Sequence, residues 1–92
     1  MRELSALDEG ALVVRASRGE KNAYGQLVTR YRWAAFAVAL SVAGRREDAE
    51  DAAQESFIVA LNRLNECQEA EKFGGWLLAI ARNHARDLVW KE

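Results

Sequence analysis

Proline is absent from the 92 residues, and cysteine and histidine occur once each, as Cys67 and His84. Without proline, no point along the chain is forced to break or kink a helix. A single cysteine excludes an intrachain disulfide and a cysteine-built metal site, a usage that suits a reducing cytosol. The longest apolar stretch, WAAFAVALSVA over 33–43, has 11 residues and is too short to span a bilayer. The opening MRELSALDEG carries acids where a secretory signal needs an apolar run. Strand-like alternation, internal repeats and low-complexity tracts are also missing. These absences leave one soluble, cytoplasmic domain over 1–92, with no membrane insertion.

Half of the residues are hydrophobic, enough for a core in a chain of this length; such a domain buries roughly 60–65% of the surface its unfolded chain exposes. The abundance of Ala, Leu, Glu and Arg points to helix. Net charge is only −1, but the charges are segregated. Residues 1–46 hold eight Lys/Arg against four Asp/Glu, residues 47–71 one against eight, and residues 72–92 four against two. An acidic waist thus separates two basic segments.

Helical periodicity predicts four helices in an all-α bundle. The first runs from about Asp8 to Arg18, capped by Ser5 or Asp8 and stopped by Gly19. The second starts near Asn22, an N-cap type, and reaches Ala43, with Gly44 at C′. Its stripe is Tyr24, Leu27, Val28, Tyr31, Ala35, Val38 and Val42. The third spans about Glu47 to Leu64 and buries Ala49, Ala53, Phe57, Ala60, Leu61 and Leu64. The fourth begins at Phe73 or Gly75, ends near Trp90, and buries Phe73, Leu77, Ile80, Ala81, His84 or Ala85, and Leu88. The polar connection from Asn65 to Lys72 is the only long one, and so a candidate functional loop.

Five carboxylates, Glu47, Asp48, Glu50, Asp51 and Glu55, open the third helix. Acids in a first turn stabilise a helix by roughly 0.3–1 kcal/mol each, which accounts for Glu47 and Asp48. The effect fades before Asp51 and Glu55. These two share one face with Gln54, Ile58 and Asn62, offset from the core stripe. Such a face suits a basic protein surface. Metal binding fits less well, because di-metal bundles use Glu-x-x-His pairs and His84 has no Glu three residues before it. Acid/base catalysis lacks a buried carboxylate, so no enzyme activity is expected.

The fourth helix places Ala79, Asn83, Arg86 and Trp90 on one outward stripe flanked by Arg82 and His84. Asn can read a base edge, Arg can hold phosphate, and an aromatic can stack on an exposed base. Basic residues late in a helix can equally complement its C-terminus, and both readings stay open on these residues alone. Trp76 reads as core, and His84 as a satisfied or solvated side chain.

Three segments in register, RGEKNAYGQLVTRYR, EDAEDAAQESF and FGGWLLAIARNHARDLV, resemble region 2 of bacterial sigma-70-family sigma factors, the extracytoplasmic-function (ECF) group above all. The resemblance covers about Asp8 to Val89. It implies that Asp48, Asp51, Gln54, Glu55 and Ile58 dock on the clamp helices of the beta-prime subunit of core RNA polymerase. It further implies that the 65–73 loop and fourth helix recognise and melt the minus-ten promoter element, with a base of the single-stranded non-template strand flipped into a pocket near Asn83. Phe73, Arg82, Asn83, Arg86, Trp90 and Lys91 are the DNA-binding candidates. An anti-sigma factor is a further partner open to such a domain; no cofactor is implied. The helix-turn-helix domain of such proteins is absent from this chain, which is therefore expected to be part of a longer protein. Departures from the family pattern are Gly74-Gly75, where it usually carries Arg or a polar residue, Val89-Trp90, where it often continues with Arg, and the loop acids Glu66, Glu69 and Glu71, which would repel phosphate. The glycine pair and the loop acids favour an alternative, a sigma-like protein-interaction module that does not read DNA.

Overall fold

Asp8 begins the described part of the computed structural model, which covers residues 8–90; Ser5 and Lys91 lie outside it. The Asp8 carboxylate accepts the Ala11 N–H at 2.7 Å and caps α1 (Glu9–Ser17). Gly19 follows at φ +95°, in the left-handed region that ends helices cheaply only at glycine. α2 (Lys21–Ala43) then runs unbroken for 23 residues to Gly44, at φ +75°, whose N–H returns to Leu40 O at 2.8 Å. Arg46–Asn62 forms α3 and Phe73–Trp90 forms α4. Two 3-10 turns, Leu64–Glu66 and Ala70–Lys72, shape the intervening connection. Among the described residues there is no strand, as expected for an all-α bundle.

Two helix starts differ from expectation. Asn22 does not cap α2; Glu20 occupies the cap position, and its carboxylate is turned away to Arg15, 2.8 Å from Nη2. α3 begins one residue early, at Arg46, which leaves Glu47 and Asp48 in its first turn.

Helices α2, α3 and α4 pack mutually along their lengths, while α1 closes one end of the bundle. The core is graded. Around α1 it is built from Leu12, Val13, Tyr24, Leu27, Leu64, Phe73 and Leu77. At the middle and far end it is alanine: Ala35, Ala53 and Ala81, then Ala39, Ala49, Ala52 and Ala85. Small side chains at the contact let helix axes approach to the short end of the usual 8–10 Å range. α1 thus packs on the end of the bundle whose core is built from large residues.

The buried stripe of α3 is Ala49, Ala52, Ala53, Ser56 and Ala60, so the stripe expected from the sequence is displaced. Leu61 is 48% exposed and Phe57 only half-buried. Ser56 is fully buried, its hydroxyl satisfied by donation to Ala53 O at 2.6 Å. In α4, Phe73, Gly74, Leu77, Ala81 and Ala85 are buried, while Ile80, His84 and Leu88 are partly covered.

Candidate functional site

With alanines and a serine turned inward, α3 sends its long side chains outward. Asp51, Gln54, Glu55 and Ile58 are all exposed, Ile58 at 56%. Asp48 is half-buried and lies 4.0 Å from Arg45. Arg46 and Glu50 pair at 3.5 Å one turn apart.

The outward face does not act as a single strip, because it borders two grooves. Asp51 and Glu55 edge a groove of about 580 Å³ against α4, together with Ala52, His84, Asp87, Leu88 and Trp90. Gln54 and Glu50 edge one of about 430 Å³ against α2, where Arg32 and Trp33 stand over a floor of Val28, Phe36, Ala53 and Phe57. Trp33 is 70% exposed, with Arg32 Cζ 5.0 Å from its ring centroid, a cation–π arrangement. Arg32 and Trp33 were not singled out from the sequence, because Trp33 reads as the start of an apolar run. The signal was available: Trp33 falls off the stripe that carries Tyr31 and Ala35, and a large aromatic off the core stripe of a surface helix faces outward.

Arg82, Asn83 and Arg86 are exposed on the outer side of α4, and among the described residues no carboxylate pairs with either guanidinium. The structure separates one other nucleic-acid candidate, Phe73, from these three. Phe73 is fully buried, in ring contact with Tyr31 and Trp76 at 5.9 Å centroid distance each. It is a core residue, because the first turn of α4 faces α1 and α2, so its ring offers no surface to a base. Trp90, 79% exposed, stays on the stripe of Asn83 and Arg86 and also edges the groove that holds Asp51 and Glu55.

The glycine pair also divides. Gly75 is exposed with open space around it, whereas Gly74 is buried against Tyr31. A β-carbon on Gly74 would lie 2.6 Å from Tyr31 Cζ, so any side chain there requires the tyrosine ring to shift. The loop acids are partly neutralised as well. Glu66 takes Arg63 at 2.8 Å, a hydrogen bond that holds its carboxyl below the usual range, and Glu69 lies 3.3 Å from Lys72. Cys67 is half-buried beside them, and burial, then the charge of Glu9, push its thiol up. No group of three or more His, Cys, Asp or Glu side chains among the described residues is arranged to hold a metal. No helix among them is long and apolar enough to cross a membrane.

An all-helical bundle with an outward acid-and-amide helix and a separate basic, amide-bearing helix defines a binding domain with two unlike faces. The family model of Sigma-70 region 2 matches residues 27–92, and the chain belongs to that family. It is 37% identical over 83 residues to the RNA polymerase sigma factor NccH of Alcaligenes xylosoxydans xylosoxydans, covering 90% of this chain and 44% of that protein. It is 36% identical to the ECF RNA polymerase sigma factor BldN of Streptomyces coelicolor, over 83% of this chain and 29% of that protein. It is likewise 37% identical to the ECF RNA polymerase sigma-E factor of Haemophilus influenzae, over 90% and 43% respectively. The chain thus spans less than half the length of each. No solved structure gives a significant match.

Proposed function

We propose that this chain is the domain of an ECF sigma factor that docks on core RNA polymerase and engages the minus-ten promoter element, as a binding protein and not an enzyme. The observation that carries the reading is the division of labour between two helices. α3 turns only small residues inward, leaving Asp51, Gln54, Glu55 and Ile58 free for a protein partner. α4 offers Arg82, Asn83 and Arg86, all exposed.

The exposed carboxylates of α3 support docking on the clamp helices of the beta-prime subunit. Arg82 and Arg86 hold phosphates, which makes DNA binding weaken with salt, and Asn83 reads a base edge. Extraction of a base costs a few kcal/mol. With Phe73 buried, stacking on that ring is not available to offset it. That burial supports a second reading, a sigma-like module that binds polymerase or an anti-sigma factor without reading DNA.

Capture of core polymerase tests the docking half, with Asp51→Arg expected to abolish it; undiminished capture would overturn that half. Salt titration with a minus-ten single strand separates the two readings. The first requires binding that rises steeply as salt falls, the second none at any salt concentration.

A further inference from the structure

Glu9 lies outside the segment that matches the family model, yet its carboxylate joins three helices. One oxygen accepts the Tyr31 hydroxyl of α2, and the other accepts the Gly74 N–H at 2.9 Å, in the first turn of α4. The first N–H groups of a helix have no partner within it. Here a side chain from another helix supplies one. The carboxylate also sits at the positive ends of two helices at once, α1, which it begins, and α4. Close by, α1 packs on the second 3-10 turn of the loop, and the backbone nitrogen of Glu71 comes within 3.7 Å of a β-carbon position at Gly10. One contact of this bracing lies on the connection that precedes α4 and the other on the first turn of α4 itself.

We propose that Glu9 is a positioning residue for nucleic-acid binding: by capping α4 from α1 it holds the 65–73 connection and fixes how α4 presents Arg82, Asn83 and Arg86. The proposal rests on the nucleic-acid reading above. Glu9 itself touches no DNA. Gln at this position can keep the geometry, its carbonyl accepting from Gly74 and its amide donating to Tyr31 Oη, whereas Ala cannot.

The test compares the full chain with Glu9→Ala, Glu9→Gln and Ala39→Gly, the last a helix-weakening change in the alanine core at the far end of the bundle. Amide hydrogen exchange reads the brace, and affinity for a minus-ten single strand reads its consequence. Glu9→Ala is expected to speed exchange across 65–74 by about tenfold, as loss of a hydrogen bond to a charged group does, beyond any change in Ala39→Gly. It weakens single-strand binding by a similar factor and leaves polymerase capture unchanged, and Glu9→Gln restores most of both. Acceleration spread evenly over the chain would overturn the brace, and a loosened loop with unchanged DNA affinity would overturn the positioning role. If the unaltered chain binds no single strand, the nucleic-acid reading and the positioning role fail together, while exchange at Gly74 separately decides whether the cap exists.

Discussion

The ring of Tyr31 fills the space that a side chain on Gly74 would need: an added β-carbon would meet Cζ at 2.6 Å and Cε1 at 2.7 Å. α2 and the start of α4 are in contact there because one of the two residues has no side chain. The tyrosine in turn packs edge-on against Phe73, at an interplanar angle of 63°.

Gly74→Ala should therefore destabilise the chain by about 1–3 kcal/mol, the usual cost of overpacking a core. Gly75→Ala, one residue on and with nothing within 4 Å, should instead stabilise it by roughly 0.5–1 kcal/mol. Urea unfolding of both variants checks the contrast, and a double variant with Tyr31→Ala should erase most of the Gly74→Ala penalty.

Leucine and tryptophan on α2 should behave oppositely. Leu27 is fully buried, and Leu27→Ala should cost about 2–5 kcal/mol. Trp33→Ala removes an exposed ring and should change stability by less than about 0.5 kcal/mol. Its effect should appear in polymerase capture, because Trp33 stands beside Gln54 on the same groove.

Alkaline pH should unfold the protein through its two tyrosines. Burial pushes Tyr24 up to about 12, and burial with the Glu9 hydrogen bond does the same for Tyr31, from an ordinary value of 10.0. Between these values the folded chain keeps protons that the unfolded chain releases, so stability falls as pH rises. The tyrosine contribution is complete below 10.0, declines toward about 12 and levels off above it. Tyrosinate absorbance, followed together with circular dichroism, should show ionisation and unfolding in that window. Tyr24→Phe, which deletes the bond to Phe57 O at 2.5 Å, should lower stability at neutral pH by about 1 kcal/mol.

On α4, Asn83→Ala should weaken minus-ten single-strand binding by about 1–3 kcal/mol. Arg86→Ala should act on all sequences alike and reduce the salt slope by about 1. Fluorescence anisotropy over a salt series distinguishes the two, and equal affinity for Asn83→Ala would remove that residue from the site.

Much of the fold was legible because helices are set locally. Gly19 and Gly44 end α1 and α2 where expected, as only glycine adopts the left-handed conformation at little cost. The acid, amide and aliphatic run from Asp51 to Ile58 reads as an outward face from its 3.6-residue spacing alone, and the structure places all four residues at the surface.

What spacing could not decide was which of several apolar or small residues faces another helix. Ala52 and Ser56 rather than Leu61 line the buried side of α3, because close helix approach selects for small volume over hydrophobicity. Phe73 and Gly74 look like the entrance to a nucleic-acid helix in one dimension, but they form a joint with Tyr31 and Glu9 in three. The sequence by itself determined the helices, the glycine stops of the first two, the charged faces and the family. Tertiary structure alone decided which residues those faces share, since a groove or a cap contributed by another helix depends on contacts between segments up to 65 positions apart, as between Glu9 and Gly74.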